Sequence, residues 1–182
     1  MSLAQWFLLV AGSALLLAVS ARALAVPRSH GFYRFFGLEA TLALLALNAP
    51  AWLVDRFTAR QLVSWALLFV SLYLLADAVR MLRRAGTDAS RGDPALLDFE
   101  RTGELVRSGI YARIRHPMYA SVILLAWGTM LKAPSPTAIV LALVATGFMV
   151  ATARVEEREC LAHFGPAYAR YRTRTAMFLP GL

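Results

Sequence analysis

Five apolar runs constrain this chain more than any other feature: about 3–21, 36–54, 62–79, 118–131 and 137–153. A helix needs about 20 residues to cross a hydrocarbon core, and most of these runs come close to that length. Lipid offers the backbone no hydrogen-bond partner, so such runs must be helices that satisfy themselves. The expected fold is all-α, an integral membrane bundle of about five transmembrane helices forming a single membrane domain over 1–182. Polar segments at 80–117 and 154–182 remain outside the bilayer. A cleaved signal peptide is the competing reading of the first run; its length, and the lack of a basic residue ahead of it, argue against that reading.

The fourth run has only 14 residues, and Arg113 and Arg115 stop it extending backwards. Lys132 to Pro136 separate it from the fifth, so the last two runs are expected to form a tight hairpin. That hairpin either crosses at a cost or bends short of the far face, and both paths return the tail to the side it left. Sixteen arginines fall in 22–34, 80–115 and the tail, against Arg56, Arg60 and Lys132 in the opposite connections. The positive-inside rule then places the N-terminus outside and the C-terminus in the cytoplasm, in what reads as a bacterial inner membrane. Gly86, Gly92, Pro94 and Gly103 break any long helix in the 80–115 segment. The two polar segments share a face. They are expected to pack over the cytoplasmic helix ends as a pocket where a water-soluble cosubstrate meets a lipid-borne one.

Composition closes off other classes. Charged residues make up 16% of the chain, well below the roughly 25% of soluble proteins. The net charge of +8 is explained by arginines facing anionic headgroups, so no nucleic-acid partner is expected. The single Cys160 excludes an internal disulfide and a multi-cysteine metal site. His30, His116 and His163 lack ligand-like spacing, so no metal is expected. There is no phosphate-loop or dinucleotide glycine fingerprint.

Three clusters can carry chemistry. The first, Gly109 to Ser121, holds Tyr111, Arg115, His116, Pro117 and Tyr119 at the entrance to the fourth run. Proline suits the first turn of a helix, and an arginine and histidine just before it sit at the positive end of the helix dipole, where anions are favoured. The plainer alternative makes Arg115 an interfacial anchor and Tyr119 part of an aromatic belt. The second is Glu156-Glu157, whose side chains diverge by about 100° on a helix, so that one can face the bundle while its neighbour faces water. An inward glutamate can hold an ammonium or sulfonium, or pair with an arginine; otherwise the pair is a solvated helix end beside Arg158 and Glu159. In the third, Gly165-Pro166 ends one helix and permits another. Tyr168, Tyr171 and Arg174 then fall three apart on one face, either lying on the membrane or closing a pocket.

The order Gly-x-Tyr, Arg-His-Pro-x-Tyr, Glu-Glu, Phe-Gly-x-x-Tyr-x-x-Tyr, then a last Arg and Pro, over roughly 103–180, resembles the isoprenylcysteine carboxyl methyltransferase family. The phospholipid N-methyltransferases look like its relatives. The resemblance implies an integral membrane methyltransferase that uses S-adenosylmethionine without a Rossmann domain. It also implies that Tyr111, Arg115, His116, Pro117, Tyr119, Glu156 and Glu157 line the cofactor site, with Arg174 beside the acceptor. Ser121 departs from the family's usual glycine, and Ala176-Met177 replaces the usual Pro-Arg.

The implied reaction is displacement of a sulfonium methyl by an oxygen, nitrogen or sulfur nucleophile on a lipid-borne, prenylated or otherwise hydrophobic acceptor. Arg115 and His116 would hold the methionine carboxylate and Glu156 or Glu157 its ammonium, with Tyr111 and Tyr119 near the adenosine or sulfonium. For a carboxylate acceptor Arg174 would act as a bidentate clamp; for an amine a glutamate such as Glu156 would serve as base. Two other functions fit parts of the sequence. One is an NADPH-dependent membrane reductase of the sterol-reductase type. The other is a non-enzymatic carrier or assembly protein, in which Glu39, Asn48 and Asp77 would mark a polar path rather than helix contacts.

Overall fold

In the computed structural model the described residues are 1–86 and 104–179. They form an integral membrane helical bundle: α1 (Leu3–Leu24), α2 (His30–Asn48), α3 (Ala59–Ala85), α4 (Pro117–Met130), α5 (Pro136–Phe164) and α6 (Pro166–Arg172). Among the described residues the extended structure is one isolated parallel bridge, Ile114 to Ala176. Three helices, α1, α3 and α5, are long and apolar enough to cross a membrane, and α4 is a shorter apolar helix. Expectations about Arg91, Gly92, Pro94, Arg101, Gly103 and Pro180 lie outside the described residues.

The helices begin where the chain supplies a cap. Ser2, Ser29, Thr58 and Ser135 each accept a hydrogen bond from the backbone N–H three residues on, satisfying one of the orphan donors of a helix start. Pro117, Pro136 and Pro166 occupy first turns, where no N–H is needed. Gly165 takes φ +54°, which ends α5 and redirects the chain into α6.

Several boundaries depart from the apolar runs. α2 starts at His30 rather than near 36 and stops at Asn48, α3 continues to Ala85, and α5 runs to Phe164, well past 153. The reason is physical. Apolar runs mark the part of a helix bathed in lipid, whereas capping and tertiary contacts set where the helix itself stops.

α2 and α5 make the most extensive helix pair, followed by α3 and α4. α5 presents Ala138, Ala142, Ala145, Met149 and Ala153, all fully buried, towards α2 and α4. Small residues let backbones approach closely, which is how membrane helices gain contact without a hydrophobic driving force. The α2–α5 approach is tight enough that a Cβ on Gly37 would meet Met149 Cε at 2.2 Å and Phe148 Cβ at 3.2 Å.

The polar residues of the apolar helices are spent on local contacts. Ser13 donates to Glu39 at 2.7 Å, joining α1 to α2. Asn48 reaches the carbonyls of Thr129 at 2.8 Å and Ala133 at 3.3 Å. Asp77 accepts from the Ile110 N–H at 3.1 Å and from Arg80. These contacts are in three separate places, so the three residues form no continuous path.

Candidate active site

The site is built where the α4 entrance, the C-terminal end of α5 and the tail converge. Asp77 of α3 holds the 3₁₀ turn Gly109–Ala112 through the Ile110 N–H, and that turn presents Tyr111. The chain then pairs with the tail. Arg115 N–H donates to Ala176 O at 2.9 Å, His116 N–H to Met177 O at 3.2 Å, and Ala176 N–H returns to Arg113 O at 3.0 Å. Ala176-Met177, where the sequence departs from the expected Pro-Arg, thus uses its backbone N–H at 176; a proline there would have no N–H for this bond.

His116 is the cap residue of α4 and is 5% exposed. Its Nδ1 lies 3.2 Å from Glu156 Oε2 and its Nε2 3.6 Å from Glu157 Oε1. Its ring stacks on Tyr119, centroids 5.5 Å apart and 14° from parallel. Burial pulls the imidazole pKa down, but hydrogen bonding and charge from the two glutamates outweigh it and leave it raised. A ring with a carboxylate at each nitrogen is suited to the doubly protonated form.

Glu156 and Glu157 do not divide between bundle and water as their angular separation would allow. Both turn towards His116, one to each ring nitrogen. Glu157 is the more enclosed. It takes Arg115 Nε at 2.7 Å and has Arg172 Nη1 at 3.7 Å. Arg115 also donates to the carbonyls of Arg172, at 3.0 Å, and Thr175. Much of its donor fork is therefore engaged in tying α5 to the tail. Glu156, with a hydrogen bond from Tyr119, is the carboxylate that lines the cleft.

The cleft is narrow, with a cavity volume of about 80 Å³, below the roughly 300–1,000 Å³ of sites that enclose a whole small molecule. Of the sequence-derived candidates, Tyr111, Arg115, His116, Pro117, Tyr119 and Glu156 line it. Tyr168 and Tyr171 close it from α6, and Tyr171 donates from its hydroxyl to Tyr111 O at 2.7 Å. Burial pushes both phenols above their ordinary pKa, so both remain neutral. Arg174 is elsewhere. α6 ends at Arg172, which breaks the three-residue spacing, and Arg174 lines a neighbouring cleft with Arg107 and Arg170, the two clefts sharing Tyr171. Sequence reasoning missed Leu82, Leu105, Val106 and Cys160. Cys160 follows Glu156 by four residues and shares its helix face, a spacing that was available to read. Among the described residues no group of three or more His, Cys, Asp or Glu is arranged to hold a metal ion.

The polar content of this cleft fits the charged end of a zwitterionic ligand. Glu156 offers an acceptor for an ammonium, Arg115 and His116 supply positive charge, and tyrosine rings provide stacking surface.

Comparison with known proteins bears on the same region. The chain is 28% identical over 144 residues to a methanethiol S-methyltransferase 2 of Bradyrhizobium diazoefficiens, covering 75% of this chain and 52% of that one. It is 26% identical over 151 residues to a methanethiol S-methyltransferase of Pseudomonas deceptionensis, covering 82% and 50%. A Mycobacterium tuberculosis protein of the same name is 34% identical over 73 residues, 39% of this chain and 28% of that one. The chain thus spans about half the length of the first two relatives. No solved structure matches. The phospholipid methyltransferase family model matches residues 59–167, which include the α3–α4–α5 core, the His116–Pro117 turn and both glutamates. The chain belongs to the phospholipid methyltransferase family.

Proposed function

We propose that this chain is an S-adenosylmethionine-dependent methyltransferase whose acceptor is a small apolar or lipid-borne nucleophile, a thiol being the best-supported class. The observation that carries the reading is the meeting of the His116–Pro117 turn with Glu156 and Glu157 at one cleft. The cofactor, when bound, supplies an electrophilic methyl group and its own leaving group.

The chain's residues then have to bind, orient and exclude water. Glu156 receives the donor's ammonium, while Arg115 and His116 face its carboxylate. Glu157 keeps those two cations in place rather than touching the ligand, because its oxygens are already engaged. The neutral phenols of Tyr111, Tyr119, Tyr168 and Tyr171 offer faces to the adenosine and to the sulfonium charge.

Two features favour a thiol over a carboxylate. Arg174, the expected carboxylate clamp, lies in a different cleft, and the named relatives act on methanethiol. The bilayer is a natural source for such an acceptor. α4 covers only about 21 Å at 1.5 Å per residue, short of a hydrocarbon core of about 30 Å. Its far end lies beside Trp52 and Trp65, a pairing typical of a membrane interface. A helix this short brings the His116 end of α4, and with it the cleft mouth, close to the hydrocarbon boundary.

The test is transfer of labelled methyl from S-adenosylmethionine by the purified chain in lipid nanodiscs. Methanethiol, a longer alkyl thiol, a prenylcysteine analogue and an ethanolamine lipid are offered separately. Label in the thiol products is expected. Transfer to none of the four, or consumption of NADPH with a sterol instead, overturns the reading.

A further inference from the structure

Arg107, Arg170 and Arg174 line one cleft together with Ala112, Tyr171 and Thr175, and no carboxylate is among the lining residues. Its cavity volume is about 280 Å³, room for a charged headgroup whose remainder lies outside. Both walls are fixed by the protein itself. Asp77 holds the 3₁₀ turn that follows Arg107 through the Ile110 N–H at 3.1 Å. On the other wall the Arg174 N–H and the Thr175 hydroxyl both donate to Tyr171 O, at 3.1 and 2.8 Å. The Tyr171 hydroxyl, on Tyr111 O at 2.7 Å, ties the two walls together. The charges, by contrast, are unspent. Among the described residues Arg80, Arg115 and Arg172 each face a carboxylate, whereas no ion pair includes Arg107, Arg170 or Arg174. Three like charges sharing a cleft repel one another, and an anion between them turns that repulsion into attraction.

We propose that this cleft is a site for the phosphate of an anionic membrane lipid, with Arg107, Arg170 and Arg174 as its donors. Guanidinium forks match phosphate oxygens in pairs, and three of them suit a group with several acceptor oxygens. Position favours a lipid over a soluble phosphate. The cleft adjoins the donor cleft at Tyr171, beside the His116 end of α4 and the hydrocarbon boundary. Acyl chains can stay in the bilayer there while the headgroup enters the cleft. General attraction of arginines to an anionic leaflet needs neither a cavity nor fixed walls, and this cleft has both. The lipid held here is a resident neighbour rather than the methyl acceptor, so the inference stands apart from the methyltransferase reading. It also gives a function to Arg174, which does not line the donor cleft.

The test is retention of dioleoyl phosphatidylglycerol by the full chain in detergent, read by native mass spectrometry beside phosphatidylcholine, with inorganic phosphate as competitor. The wild type is expected to retain the glycerol lipid in preference to the choline lipid, and excess inorganic phosphate is expected not to displace it. The triple variant Arg107→Gln, Arg170→Gln, Arg174→Gln should weaken retention at least about tenfold, since each basic residue near an anionic lipid contributes a factor of several. A charge-matched control, Arg22→Gln, Arg83→Gln, Arg84→Gln, removes as many arginines from other exposed positions and should leave retention near that of the wild type. Equal losses in the two triple variants would reduce the effect to bulk charge and overturn the site. Equal retention of the two lipids would overturn it too, as would displacement by phosphate, which would make this a cleft for a soluble anion. None of these outcomes touches the methyltransferase reading, which the transfer of labelled methyl decides.

Discussion

Glu157 and Arg115 form an enclosed ion pair at the site, their side chains 9% and 10% exposed. Taking both out of water is costly, and removing one leaves the other uncompensated. Arg115→Met should therefore destabilise the folded chain by about 3 kcal/mol, read as a lowered midpoint in detergent unfolding. His116 gives a pH signature. Its pKa is raised in the folded state, so its contribution is complete below the free-imidazole value of about 6.5 and disappears as pH rises through the folded value. The melting temperature of the apo protein should fall over that alkaline-going window, and His116→Asn should flatten the profile; an unchanged slope in the variant would count against the imidazolium. Residue types were legible from sequence here, because Arg-His-Pro beside a later Glu-Glu is an unusual set of charges for a membrane chain. Their pairing was not. Which glutamate meets Arg115, and that Arg174 lines a neighbouring cleft rather than this one, depend on where α6 ends, and nothing in the spacing alone marks Thr173 as that end.

The α4 helix poses the main problem at the level of elements. A 14-residue apolar helix that stops early leaves carbonyls exposed to a medium that cannot satisfy them. The structure meets this with a collar of side chains. Ser64 takes Gly128 O at 2.7 Å, Asn48 takes Thr129 O and Ala133 O, and Gln61 takes Lys132 O at 3.2 Å. Arg60 takes the carbonyls of Leu131 and Lys132. Lys132 is itself buried, its Nζ 3.1 Å from Gln61 Oε1 and 3.5 Å from the Trp65 ring centroid. Asn48→Leu keeps the volume but removes the donor, and should cost about 2 kcal/mol, the order expected for stranding buried acceptors; chemical denaturation in mixed micelles measures it. Gly37→Val should also weaken the bundle, since its branched side chain meets Met149 and Phe148 across the tight α2–α5 contact. A rise or no change in the unfolding midpoint of either variant contradicts this packing account. The hairpin of the last two apolar runs was legible from the Lys132–Pro136 break. The collar was not, because its members come from α2 and α3, far away in sequence.

At the scale of the whole molecule, charge and chemistry fall at the same end of the bundle. The sixteen arginines that define the expected inner face include those of the α4 entrance and the tail, which meet at the cleft. A reporter fused to the C-terminus should read cytoplasmic, and removing arginines from 80–115 should weaken that bias. The membrane class and the helical bundle followed from the apolar runs and the breaks between them. The contact of His30 on α2 with Glu159 on α5 was not legible, since the two lie 129 residues apart in the sequence. The central claim is that one cleft, bounded by the His116 turn, Glu156 and the tail tyrosines, receives the methyl donor. Cys160 is the chain's single cysteine and lines that cleft, so the claim can be read by maleimide labelling with and without S-adenosylhomocysteine. The account predicts that the nucleoside slows labelling in the wild type and has no such effect in Glu156→Ala; equal labelling rates in the wild type with saturating ligand already bound would contradict it.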